Sequence, residues 1–104
     1  MKNLLSIVIP AYNEEKTITK LLDKVIELKL PSNFQKEIIV INDCSKDNTL
    51  NVVKNVIKKN KNITLLDNGE NLGKTRTVKK GLLKTKGDYV IIQEIGRASC
   101  RERV

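Results

Sequence analysis

A chain of 104 residues with a formal net charge of +8 holds one small domain, or part of a larger one. Its lysines are spread over every segment, and Tyr12, Phe34 and Tyr89 are too few aromatics for a base-stacking platform, so no nucleic-acid partner is expected. Cys44 and Cys100 give neither metal spacing nor a disulfide framework, which fits a reducing, cytoplasmic compartment, and no apolar run could span a bilayer.

The first apolar run, residues 4–9, is too short for a signal sequence and reads as a strand that Pro10 ends. Asn13, Glu14 and Glu15 follow, and the two glutamates are acids suited to a helix's first turn. Ile18, Leu21, Leu22, Val25 and Leu28 then recur at helical spacing. Residues 31–33 form a loop. Ile38, Ile39, Val40 and Ile41 are a run of the kind found in strands buried on both faces. Asn42 and Asp43 end it, and a helix pattern begins near Asp47, with Ser45 or Asp47 as its cap. Leu50, Val53, Val56 and Ile57 mark that second helix. Residues 63–66 make a shorter strand, and residues 67–71 carry a strong turn signal. A third helix is predicted over about 72–85 on a weak stripe (Leu72, Val78, Leu82, Leu83), with Gly87 as its C-cap. Residues 88–93 form the fourth strand. The order β-α-β-α-β-α-β predicts an α/β domain, a parallel sheet with helices on both faces.

In such a sheet, ligands bind outside the carboxyl ends of the strands. There the chain collects Pro10, Ala11, Tyr12, Asn13 and Glu14, then Asn42 and Asp43, then Asp67 and Asn68, then Glu94. Carboxylates, amides and a tyrosine suit a base and a ribose, and Lys74 and Arg76 suit phosphate. The first turn has no glycine, which excludes the dinucleotide fingerprint. Gly69-Glu70-Asn71-Leu72-Gly73-Lys74-Thr75 has three residues between its glycines where a phosphate-binding loop needs four.

Four blocks together carry a resemblance: Pro10-Ala11-Tyr12-Asn13-Glu14; Ile41-Asn42-Asp43-Cys44-Ser45-Lys46-Asp47-Asn48-Thr49; Asn71-Leu72-Gly73-Lys74 through Gly81; and Gly87 through Gln93. They resemble the start of a family 2 glycosyltransferase, and most closely the dolichyl- and polyprenyl-phosphate sugar synthases. The resemblance implies the N-terminal, Rossmann-like nucleotide-binding half of a GT-A fold and a UDP- or GDP-linked sugar donor. It implies a divalent metal, Mg²⁺ or Mn²⁺, and an acceptor that in this subgroup is a polyprenyl phosphate. By resemblance, Pro10, Ala11, Tyr12, Glu14, Ile41 and Asp43 hold the nucleoside and Lys74 lies near the donor phosphates. The complete protein would then work at the inner face of the membrane. A non-catalytic nucleotide-binding module is the alternative.

Two departures stand out. Asn42-Asp43-Cys44-Ser45 replaces the usual Asp-Asp-Gly-Ser, and a cysteine in place of glycine implies a turn that needs no positive φ. Glu94 occupies the first position of the expected Asp-x-Asp, and Gly96 the second, so no metal site is intact. Residues 95–104 switch abruptly from lysine to arginine, and their sequence resembles one reading frame of a widely used short-read sequencing adapter. They are expected to be a non-native tail without regular structure after a truncated domain, residues 1–94. Three arginines and one glutamate in the tail contribute +2, leaving about +6 for the rest. The catalytic residues would lie downstream, and the chain as it stands would be inactive.

Overall fold

The computed structural model describes residues 3–60 and 62–93 with their side chains and residues 100–103 as backbone. β1 (Asn3–Ala11), β2 (Phe34–Asn42), β3 (Ile63–Asp67) and β4 (Tyr89–Gln93) alternate with α1 (Ile18–Glu27), α2 (Thr49–Lys59) and α3 (Lys74–Leu83), and β5 (Cys100–Arg103) follows. The sheet order is β3-β2-β1-β4-β5, with the first four strands parallel and β5 antiparallel to β4. The expected α/β class and element order are borne out.

Alternation along the strands sorts side chains between two layers. Leu5, Ile7 and Ile9 of β1 join Ile38 and Val40 of β2 beneath Ile18, Leu22 and Val25 of α1 and Val53 of α2. Val8, Ile39 and Ile41 face the other way, toward Leu82 of α3. The chain runs β1 to β2 to β3 on one side of β1 and then crosses by α3 to β4 on the other. β1 and β4 therefore flank the topological switch point, where an open α/β sheet leaves a crevice.

Several local expectations are corrected. α1 starts at Ile18 with no acid in its first turn, because residues 14–17 form a separate turn in which the Glu14 carbonyl accepts from the N–H groups of Thr17 and Ile18. Its other end is closed by Lys36, whose Nζ donates to the carbonyls of Val25, Ile26 and Leu28, satisfying last-turn oxygens that would otherwise lack partners. α3 is shorter than predicted. Its stripe is weak because its buried positions are Thr77 and Gly81, while Leu83 is exposed.

Gly87 is not a helix cap. Its N–H donates to Ser6 Oγ at 2.9 Å, and a Cβ there would lie 2.8 Å from both Ser6 N and Tyr89 O, so the position demands close backbone approach. Residues 100–103, expected to be irregular, pair with β4 from Val90↔Arg103 to Gln93↔Cys100. An edge strand offers unpaired N–H and C=O groups to any extended segment in reach, and backbone pairing asks little of sequence.

Candidate functional site

The register brings three strand ends level: Ala11 pairs with Asn42, and Asn42 with Asp67. Asn42 Nδ2 donates to Asp67 Oδ1 at 2.9 Å, and Asn42 Oδ1 accepts from the Ser45 hydroxyl. An aspartate at position 42 would set a second carboxylate against Asp67, which accounts physically for the amide here.

The loop after β1 is fastened to the loop after β2 by its own backbone. The N–H of Asn13 donates to Ser45 Oγ (3.0 Å), that of Glu14 to Thr49 Oγ1 (2.8 Å) and that of Glu15 to Asp47 Oδ2 (3.3 Å). In return Asn13 Oδ1 accepts from the N–H of Lys46 at 2.7 Å. Ser45 and Asp47 were candidate helix caps. Asp47 does accept from the Thr49 N–H, but the residue preceding α2 is Asn48, without a side-chain cap bond. Asn13 and Cys44 sit at φ 52° and 56°. The expectation that the turn at Cys44 needs no positive φ is thus wrong: the cysteine occupies the left-handed conformation that glycine adopts at less cost.

Asp43 is the junction of the region. Only 5% exposed, it donates its N–H to the Ala11 carbonyl and accepts at its own carbonyl from Asn71 Nδ2. Its Oδ1 accepts from Asn68 Nδ2 (2.9 Å) and the Leu72 N–H (2.7 Å), and its Oδ2 from the Gly73 N–H (3.0 Å). Burial raises its pKa, but hydrogen bonds from Leu72, Asn68, Gly73 and Thr77 outweigh burial and hold the carboxyl below the ordinary aspartate value. Behind it, Asn68 Nδ2 also donates to Thr77 Oγ1 (3.2 Å), and Asn68 Oδ1 accepts from Lys80 Nζ (2.8 Å). Asn68 and Thr77 are 3% and 0% exposed. Sequence reasoning placed Asn68 at the strand ends without giving it a role, and missed Thr77 and Lys80. Asn68 sits in a stretch that reads as a turn, and only its burial distinguishes it.

The predicted site residues separate into groups. Pro10 and Ala11 end β1 as expected, and Tyr12 is 42% exposed just beyond them. Glu14 is half-buried, and its carboxylate accepts from the Thr17 hydroxyl at 2.8 Å. Lys74 is exposed at the first position of α3. Ile41 is the residue expected to line a base. Its side chain is fully buried under α3, where Gly81 leaves room for it: a Cβ on Gly81 would lie 2.5 Å from Ile41 Cδ1. Glu94, the expected metal position, lies outside the described residues. Among the described residues, no group of three His, Cys, Asp or Glu side chains could hold a metal ion. No helix among them is long and apolar enough to cross a membrane.

Comparison with known proteins agrees with the fold. Residues 6–94 match the family described as Glycosyl transferase family 2. A dolichyl-phosphate β-glucosyltransferase of Trichomonas vaginalis is 38% identical over 100 residues, covering 91% of this chain and 31% of that protein. The dolichyl-phosphate β-glucosyltransferase of Dictyostelium discoideum is 37% identical over 102 residues, again covering 91% and 31%. The chain thus spans about a third of the length of these relatives. Among solved structures, a Pyrobaculum calidifontis mannosyltransferase in complex with GDP-mannose and Mn²⁺ superposes with a TM-score of 0.80 at 25% identity, covering 90% of this chain and 28% of that one. Staphylococcus aureus TarS in complex with UDP-GlcNAc gives 0.76 at 31%, covering 90% and 26%.

Proposed function

The chain belongs to glycosyl transferase family 2, and from that membership we propose that the complete protein transfers a sugar from a nucleotide donor to a polyprenyl phosphate. The observation that carries this reading is the alignment of the β1 and β2 ends beside the switch point, within a match that runs to residue 94. Tyr12 and Glu14 flank the nucleoside, with Pro10 and Ala11 shaping the floor beneath it. Lys74 provides positive charge toward the diphosphate. The acceptor assignment draws on the dolichyl-phosphate glucosyltransferases among the relatives, and the donor class on neighbours that bind GDP-mannose and UDP-GlcNAc.

The transfer breaks the bond between sugar C1 and the β-phosphate oxygen and forms a bond from an acceptor oxygen to C1, with inversion. The nucleoside diphosphate leaves with the electron pair. A phosphate acceptor is already ionised at neutral pH and needs no base. The divalent metal suggested by the Mn²⁺-containing neighbour has no fitting ligand set among the described residues. The ending of the family match at residue 94 supports reading residues 95–104 as a non-native tail.

The test is to titrate the complete protein with UDP- and GDP-sugars by calorimetry, then follow sugar transfer to polyprenyl phosphate. Saturable donor binding with release of nucleoside diphosphate only when acceptor is present is the expected result. Donor binding without any transfer would favour a non-catalytic binding module.

A further inference from the structure

We propose that Thr49 and Asp47 are positioning residues for the donor nucleoside, which act by locking the backbone of Glu14 against the start of α2. The proposal rests on the donor-site reading above and gives neither residue a ligand contact of its own.

Thr49 is fully buried, and its hydroxyl is bonded on both sides. Oγ1 accepts from the Glu14 N–H at 2.8 Å and donates its proton to Asp47 Oδ1. An N–H can only donate and an ionised carboxylate can only accept, so the direction of the hydroxyl is set at both ends. Asp47 Oδ1 also accepts from the Thr49 N–H (3.0 Å), and its Oδ2 accepts from the Glu15 N–H (3.3 Å). Desolvation raises the Asp47 pKa, but hydrogen bonds led by those from Thr49 outweigh it and hold the carboxyl below the ordinary aspartate value. The acceptor that directs Thr49 therefore stays charged.

The residue held in this way needs holding. Asn13 sits at φ 52°, where a non-glycine backbone is strained and persists only if its surroundings fix it. Its own N–H goes to Ser45 Oγ, and the next N–H, that of Glu14, goes to Thr49. Beyond that N–H, the Glu14 carbonyl accepts from the N–H groups of Thr17 and Ile18, and its Oε2 accepts from the Thr17 hydroxyl at 2.8 Å. Thr17 and Ile18 belong to the same turn as Glu14 and would move with it. Thr49 stands across from that turn, on the first residue of α2, and ties it to the sheet. Without this tie the turn can shift as a unit and carry the Glu14 carboxylate away from a ribose or a base.

The experiment measures, by calorimetry on the complete protein, affinity for a nucleoside and for its diphosphate (uridine and UDP, guanosine and GDP). Thr49→Val keeps the shape and strands the Glu14 N–H. It should weaken both ligands by the same factor, about tenfold, because what it misplaces is the wall of the part they share. Thr49→Ser loses the methyl and keeps the hydroxyl, so it should bind within about threefold of wild type; a role in packing alone would not be rescued this way. Asp47→Asn, at a half-buried position, should weaken both ligands about threefold, and carries the test if Thr49→Val does not fold. In a Glu14→Ala background, Thr49→Val should cost less than about twofold more, because Thr49 acts through Glu14. A loss confined to the diphosphate, a Thr49→Ser as weak as Thr49→Val, additive losses in the double variant, or no loss in either single variant would each overturn the proposal. A wild-type protein that binds neither ligand would instead overturn the donor-site reading, and this proposal with it.

Discussion

On the face of the sheet under α1 and α2, eleven of the described residues form one buried apolar cluster that runs from Leu5 to Ile63. On the face under α3, among the described residues, only Val8, Ile39 and Ile41 are buried apolar residues, and the same layer holds buried Thr77 and the Asn68 amide bonded to it. The first face buries area with little dependence on fine geometry. The second spends its interior on directional bonds, which fix where a turn and a lysine sit. Stability and placement have been divided between opposite sides of one sheet, and substitutions on the two sides should fail differently.

The largest effect belongs to the apolar face. Leu22 is fully buried, and Leu22→Ala should cost about 2–5 kcal/mol in chemical denaturation while leaving the donor affinity of the folded fraction intact. An affinity loss in folded protein would break the comparison. Asp43→Asn comes next. Whichever way the new amide turns, an NH₂ group meets an N–H donor, so donor affinity should fall ten- to hundredfold, about 1.5–3 kcal/mol. Its pH signature follows from the depressed native pKa. The stabilisation is complete above the unfolded aspartate value of about 3.9 and is lost as pH falls through the lower native value. Wild type should therefore destabilise across that acidic window more steeply than Asp43→Asn, as read from denaturation midpoints.

Gly81→Ala probes the α3 face by volume. Its Cβ would lie 2.5 Å from Ile41 Cδ1 and 2.7 Å from Val8 Cγ1, so α3 must lift, at about 1–3 kcal/mol. Unlike Leu22→Ala, it should weaken nucleoside diphosphate binding as well. The smallest effect is at Cys44, at φ 56°. Cys44→Gly removes steric strain but adds unfolded-state entropy, so a net gain below about 1 kcal/mol in melting experiments is expected.

The element order was legible because runs such as Ile38, Ile39, Val40 and Ile41 and the spacing of Ile18, Leu22 and Val25 are local signals. What escaped is long-range. Ser45, Thr49 and Asp47 look like ordinary cap residues, and their partners at Asn13, Glu14 and Glu15 are 32–35 positions away. The one hint of a left-handed turn at Cys44 was the glycine usual at that position, and the cysteine itself masks it. Gly87 sits where a helix cap is plausible, and only the fold reveals that Ser6 crowds it. Asp43 was recognisable as important, but whether its oxygens point outward or inward depends on a loop that no local pattern describes.

The fastening of the β1 loop bears on how donor preference could change over time. Three of its anchors are backbone N–H groups at positions 13–15, gripped by side chains of the β2–α2 segment, and a fourth is the Asn13 side chain, which accepts from the Lys46 N–H. The fastening therefore leaves the side chains of Tyr12 and Glu14 out of the anchoring. Recognition chemistry and loop shape are written in separate stretches of the gene. A library randomised at codons 12 and 14 can explore new bases and sugars on an inherited backbone, whereas the same diversity placed at codons 45, 47 and 49 would alter the shape of the loop.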